Sequence, residues 1–225
     1  NPDFCGSCHN VVNRKGIKIE KPHEEFLASP YPARGIGCLN CHMQTYTGRA
    51  TPDGPLRNRL HRHDFIGVDV AVTPFPRRGY QRREVEEFLR TAARLSVFAP
   101  QVAVAGGSFK LKVDVKNVGA GHNLPTGPST EREMWLEVIA VNRSGKILFE
   151  SGTLDKQGDI RGGHGNVKQQ DPQLALFTDR FVDEKGETVF FMWQAHALEE
   201  HTIPPLQTRS ANYEFKIPEQ FAGEE

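Results

Sequence analysis

Two five-residue motifs constrain this chain more than any other feature. Residues 5–9 read CGSCH and residues 38–42 read CLNCH, and C-x-x-C-H is the signature of c-type haem attachment. Two thiols at this spacing reach the two vinyl groups of one haem, and the histidine that follows lies under the iron as its proximal ligand. The predicted attachment residues are Cys5, Cys8 and His9 in the first motif, and Cys38, Cys41 and His42 in the second.

The same cysteines allow other interpretations, which their spacing disfavours. Paired C-x-x-C zinc ligands usually lie about 15–20 residues apart, whereas Cys8 and Cys38 are further apart, and zinc gives no reason for a histidine after both pairs. A thioredoxin-like pair needs a βαβ unit, and disulfides would make the paired spacing accidental. Because the motifs use all four cysteines, we expect two covalent haem c groups, an exported protein and no structural disulfide.

Charge and hydropathy exclude two classes of partner. Lys and Arg number 28 and Asp and Glu number 28, so the formal net charge is +0, which argues against nucleic acid. No apolar run approaches the roughly 18 residues of a membrane helix. With 37% hydrophobic residues and a mean hydropathy of −0.52, the chain is expected to build a modest core. A balanced charge leaves the sign of a docking partner open.

The sixth ligand of each iron decides the function. A side chain in that position makes the haem an electron carrier, and an open position lets a substrate bind. His61 and His63 follow the second motif, and His122 lies in a loop stiffened by glycines and a proline, GAGHNLPTG. His23, in a short helical pattern, is a further candidate, and bis-His ligation of both irons is expected. We interpret three histidines far downstream as ordinary surface or core residues rather than haem ligands: His164, His196 and His201.

The hydrophobic periodicity divides the chain into three parts. Residues 1–70 form an irregular, proline-interrupted haem segment, 71–98 a connector with an amphipathic helix over 80–95, and 99–225 an antiparallel β region. The fold class is therefore mixed. Strands are predicted around 109–116, 134–142, 146–150, 174–182, 187–194 and 211–217, with turns at 142–145 and 183–186.

Several segments together resemble a known family. CGSCH, SPYPARGIGCLNCHM, HRHDFIGVDV and NVGAGHNLPTG followed by EMWLEVIAV are similar to exported multihaem c-type cytochromes of anaerobic respiring bacteria. The resemblance implies an immunoglobulin-like β-sandwich over 99–225 and haem-ligand roles for His63 and His122. It also implies one more strand than this chain offers after 213–218. We therefore expect a missing last strand or an open sheet edge, which invites strand addition from a neighbour.

Three functions follow from these features, in order of preference. The first is electron transfer by a dihaem cytochrome c in extracytoplasmic respiration, without enzymatic activity, with His63 and His122 as distal ligands and His61 next. Its partners would be redox proteins or terminal acceptors. The second is a subunit of an extracellular filament that conducts electrons. The third is a haem reductase with one open axial site, where His61 or His23 would donate protons.

Overall fold

The N-terminal third of the chain folds into short elements. The computed structural model describes residues 1–161 and 171–221. Six prolines interrupt residues 1–70, and the longest helix in that segment has 6 residues. Its elements are α1 (Pro2–Gly6), β1 (Val11–Val12), β2 (Lys18–Glu20), α2 (Pro22–Leu27), α3 (Cys38–His42), β3 (Thr45–Gly48) and β4 (Arg57–His61). β1 pairs with β2 and β3 with β4, both antiparallel.

One longer helix connects this segment to the β region. α4 spans Arg78–Ala92 and buries Val85 on its apolar side. The sequence predicted a helix over 80–95, but the chain turns into strand β5 (Ala93–Phe98) after Ala92. β5 pairs with the next strand, so ladder hydrogen bonds replace the last helical turn. Leu95, which lies within the predicted helix, is consequently an exposed strand residue.

The β region consists of short antiparallel sheets. The strands after β5 are β6 (Ser108–Asn117), β7 (Met134–Trp135), β8 (Val138–Val141), β9 (Ile147–Ser151), β10 (Leu176–Phe177), β11 (Arg180–Val182), β12 (Ala197–Glu199) and β13 (Thr208–Lys216). A three-stranded sheet has the order β13-β6-β5, and three two-stranded sheets pair β7 with β10, β8 with β9 and β11 with β12. In β6 the buried and exposed residues alternate, as the predicted period of two requires.

One core cluster joins several of these sheets. Val113 and Val115 of β6 and Tyr213 of β13 pack with Leu136, Phe177 and Ile203, all of them buried. A smaller cluster holds Ile19 of β2 against Phe181 of β11 and Ala195. The β1–β2 hairpin, which follows the first motif, is therefore packed on the β region rather than tethered to it by the chain alone.

Three predicted strands are wrong. The run 174–182 is divided into β10 and β11, which pair with different partners. The run 134–142 is not one inner strand, because β7 and β8 pair with different partners and Ile139 and Val141 are exposed. Residues 190–194 form bends and a turn instead of a strand, with Phe190 88% exposed and Trp193 63% exposed. The turns at 142–145 and 183–186 are confirmed.

The mixed fold of short helices and antiparallel sheets is confirmed. The domain boundaries at 70 and 98 and the immunoglobulin-like arrangement stay predictions. Over residues 1–161 and 171–221, no helix combines the length and the apolar character needed to cross a membrane.

Candidate haem site

The histidine of the second motif is held from two sides. His42 ends α3, and its Nδ1 donates a hydrogen bond to the carbonyl oxygen of Ile66 at 2.6 Å. The edge of its ring meets the ring of Phe88 on α4, with the ring centres 5.2 Å apart. The backbone contact fixes the proton on Nδ1 and leaves Nε2 with a free lone pair, as in histidines that bind metals.

His122 has the same arrangement in the loop between β6 and β7. Its Nδ1 donates to the carbonyl of Asn123 at 2.9 Å, and its own carbonyl accepts from the side chain of Asn117 at 2.8 Å. Burial lowers the pKa of His122, and the neighbouring His42 lowers it further. His122 is therefore neutral near pH 7, the form of imidazole that coordinates metals.

The structure brings these two rings close together, with their planes nearly parallel. The ring centres of His42 and His122 are 6.1 Å apart, and the ring planes differ by 16°. A metal–imidazole bond is about 2 Å and the ring centre lies about 1 Å beyond the nitrogen, so two imidazoles bound to opposite sides of one metal have centres about 6 Å apart. The separation allows both imidazoles to hold one metal, so His42 and His122 are the residues that would hold the iron of a haem attached at the second motif.

A carboxylate of the haem segment fixes the His122 loop. Oε2 of Glu25 on α2 accepts hydrogen bonds from the backbone N–H of Asn123 at 3.0 Å and from the hydroxyl of Thr126 at 2.5 Å. Burial raises the pKa of Glu25, and these two donors oppose that rise. Gly121 lies against the rings of Phe26 and Tyr31, where a Cβ would come within 3.5 Å of both. The loop is thus clamped between α2 and the β region.

The two motifs touch each other. Burial raises the pKa of Cys38 and of Cys41, and the neighbouring Cys5 raises that of Cys38 further. Pro2 of α1 lies close to Gly37, which precedes α3. By contrast, Cys8 and His9 are exposed. The attachment points of the motifs are therefore adjacent, with the second motif more enclosed than the first.

His23 lies against the first motif. A Cβ added to Gly6 would be 2.6 Å from its ring, so only glycine fits beneath it. Its Nε2 contacts the carboxylate of Asp3 at 3.2 Å. This contact uses Nε2 of His23, and its role as a haem ligand stays a prediction from the sequence.

His61 and His63 differ although they are two residues apart. Nδ1 of His61 donates to the carbonyl of Met43 at 2.7 Å, and the ring is half-buried. His63 is exposed, and its ring meets the edge of the Phe65 ring, with centres 6.1 Å apart. Of the two, only His61 shares the backbone contact seen at His42 and His122, so the geometry favours His61 although the resemblance favours His63.

The remaining histidines lie away from the motifs. His196 faces Glu184 at 3.2 Å, and His201 lies 4.0 Å from Glu199; His164 falls outside the described residues. Over residues 1–161 and 171–221, no three His, Cys, Asp or Glu side chains converge as for a bare metal ion. Sequence reasoning missed Glu25 and Phe88. For Glu25, the only sequence signal was its position directly before Phe26 in a short helical pattern. For Phe88, no neighbouring residue indicated a contact with His42.

Comparison with known proteins defines the class of the fold. No family model and no curated protein matches the chain. Among solved structures, the fold is similar to that of a multihaem c-type cytochrome. That structure is the penta-heme cytochrome c552 from Thermochromatium tepidum, with a TM-score of 0.65 and 20% sequence identity. The similarity covers 96% of this chain and 45% of that one, so the chain spans less than half of the length of the cytochrome.

Proposed function

We propose that this chain is an electron-transfer cytochrome c that carries two covalently attached haems and acts outside the cytoplasm. The observation that carries the proposal is the pair of nearly parallel imidazole rings of His42 and His122, next to Cys41 in the second motif. The likeness to a penta-heme cytochrome supports it at the level of the fold. When bound, haem supplies an iron that takes up and releases one electron.

The residues of the chain have separable roles in this proposal. The four cysteines hold the cofactors, and His9 and His42 are the proximal ligands. His122 is the distal ligand at the second motif, where the carbonyl contacts of both imidazoles hold them in place while the charge of the site changes. The packing of α1 against α3, with Pro2 close to Gly37, supports a short path between the two attachment sites. Capping by two histidines favours a lower potential than His/Met ligation.

A further imidazole ligand is proposed in the segment after the second motif. His63 and His61 are both candidates, and the contact between His61 Nδ1 and the Met43 carbonyl supports His61. Single alanine variants separate them. The variant that removes a ligand changes the visible spectrum of the reduced protein under carbon monoxide, and the other leaves it unchanged.

One experiment tests the ligand pair at the second motif. Holoprotein with two haems by intact mass is reduced, and its Soret band is recorded with and without carbon monoxide. We expect His122→Ala to bind carbon monoxide at one haem, and the matched variant His196→Ala to behave as the unaltered protein does. A His122→Ala protein with the spectrum and carbon monoxide response of the unaltered protein would refute the assignment.

The first motif supports a second candidate function. Cys8 and His9 are exposed, and over residues 1–161 and 171–221 no aromatic or histidine ring faces His9 as His122 faces His42. An open axial site there would bind a small oxyanion or peroxide and make the chain a haem reductase. Carbon monoxide binding to one haem of the unaltered protein favours this function. Assembly into a filament stays a prediction from the sequence.

A further inference from the structure

Arginines concentrate on one side of the molecule, next to the second motif. Residues 45–94 contain ten arginines and six acidic residues, although cations and anions balance over the whole chain. We use the name basic face for the part of this surface formed by the β3–β4 hairpin and the start of α4. Its arginines are Arg57, Arg59, Arg62, Arg77, Arg82 and Arg83, all exposed.

Most of this positive charge is not neutralised within the chain. Among the described residues, no carboxylate pairs with Arg57 or Arg59. Asp53 lies in the hairpin loop. Asp64 lies between the hairpin and α4 and is shared: it accepts from the Tyr80 hydroxyl at 3.2 Å and faces Arg77 at 3.6 Å. Arg62 donates to the same hydroxyl at 3.1 Å. This network joins the end of the hairpin to the start of α4, so the two parts of the basic face are neighbours.

Helix stability does not explain the arginines at the start of α4. A helix N-terminus carries a partial positive charge, and acidic residues there stabilise the helix by about 0.3–1 kcal/mol. α4 follows Arg77 and begins with Arg78, and its first turn contains no acidic residue. The arrangement opposes the helix dipole, so both the dipole and the side chains offer positive charge to a partner.

Both parts of the basic face are attached to the second motif. Phe88 of α4 contacts the ring of His42, and His61 at the end of the hairpin donates to the carbonyl of Met43. A negatively charged partner bound here therefore lies beside the more enclosed of the two haem sites. Attraction between opposite charges raises association rates by about 10- to 1,000-fold.

We propose that the basic face is the docking surface for an electron-transfer protein with an acidic surface, which exchanges electrons through the second haem site. The proposal rests on the proposed function. It adds the sign of the partner's charge and the site of contact, which the balanced net charge of the chain does not reveal.

The charge of the surface is tested with two inorganic oxidants of opposite sign. Fully reduced holoprotein is mixed with hexacyanoferrate(III) or with tris(1,10-phenanthroline)cobalt(III); each accepts one electron from a haem, which is oxidised. We expect the hexacyanoferrate rate constant to fall and the cobalt rate constant to rise as the ionic strength increases, because salt screens charges over about 10 Å at 0.1 M. If the two haems are oxidised in separate kinetic phases, the faster phase belongs to the haem that the oxidant reaches more easily.

Matched charge-reversal variants locate the effect. In Arg57→Glu/Arg59→Glu, we expect the hexacyanoferrate rate at low ionic strength to fall roughly tenfold and the cobalt rate to rise. Arg143→Glu/Lys156→Glu makes the same change in net charge at exposed loops of the β region, and its rates should stay within about twofold of the unaltered protein. Arg57→Gln/Arg59→Gln removes two positive charges without adding negative ones and perturbs folding less. It should change the logarithm of each rate constant by about half as much.

The outcomes distinguish failure of the docking surface from failure of the proposed electron-transfer function. Equal rates in the two charge-reversed proteins would overturn the docking surface. Loss of binding to phosphatidylglycerol vesicles in Arg57→Glu/Arg59→Glu, with unchanged hexacyanoferrate rates, would also overturn it, since the face would then bind lipid. A protein that gains no haem absorption bands on reduction with dithionite would instead refute the proposed function.

Discussion

Replacing Glu25 by alanine tests whether the haem segment holds the His122 loop. The substitution removes the oxygen that accepts from Asn123 N–H at 3.0 Å and from the Thr126 hydroxyl at 2.5 Å. Hydrogen bonds to a charged group contribute about 1.5–3 kcal/mol each, and donors left unsatisfied cost about 1–3 kcal/mol. Burial of the carboxylate, which raises the pKa of Glu25, offsets part of this. We expect a net loss of about 2–4 kcal/mol in the free energy of unfolding.

Urea unfolding of the holoprotein, followed by far-ultraviolet circular dichroism, measures this loss. Glu24→Ala is the matched control, because Glu24 is the next residue on α2 and pairs with Lys18 at the surface. An exposed ion pair contributes about 0–1 kcal/mol. Glu25→Gln keeps an acceptor oxygen in place and should lose less than about 1 kcal/mol. If Glu25→Ala and Glu24→Ala are equally stable, the clamp on the loop does not exist.

Three further substitutions have definite expected outcomes. Gly6→Ala places a Cβ 2.6 Å from the ring of His23, so thermal unfolding should show a loss of about 1–3 kcal/mol; an unchanged midpoint would contradict the contact. Gly119→Ala places a Cβ 2.1 Å from the carbonyl oxygen of Thr91, and urea unfolding should reveal a loss of more than about 2 kcal/mol. Burial raises the pKa of Tyr213 to about 12, and within the described residues its hydroxyl has no hydrogen-bond partner. The folded state therefore resists deprotonation of Tyr213, so this residue lowers stability as the pH rises from about 10 through 12. Tyr213→Phe should lack that part of the alkaline loss and be at least as stable at pH 7. Chemical unfolding at pH 7 and at about pH 11 measures both effects. A Tyr213→Phe protein that is less stable than the unaltered protein at pH 7 would show that the hydroxyl does have a partner.

The sequence predicted the features that depend on local chemistry. The spacing of thiols and histidine in C-x-x-C-H is set by the cofactor it binds, so both motifs were evident without a structure. The glycines and proline around His122 indicated a constrained loop, and the loop is indeed held. The neighbouring sequence could not distinguish His61 from His63 as a ligand, because the distinction depends on where the pairing of β3 with β4 places the Met43 carbonyl.

The strand predictions went wrong where distant backbone contacts override apolar runs. Residues 187–194 look like a strand, but the side-chain amide of Asn13 donates to the carbonyls of Met192 and Ala195 and holds a turn there. The run 134–142 is divided beside Leu136, whose carbonyl oxygen lies so close to Gly152 that a Cβ there would be 2.1 Å from it. Neither contact leaves a signal in the neighbouring sequence.

The facing rings of His42 and His122 also have a consequence for unfolding. About 80 residues of chain separate them, so a metal bound by both would act as a cross-link that encloses α4, β5 and β6 in a loop. Closing a loop of that length lowers the entropy of the unfolded chain by an amount equivalent to about 4–5 kcal/mol at 25 °C in the chain-entropy model. The ligand pair would then stabilise the β region in the way that a disulfide does, although the four cysteines form no disulfide.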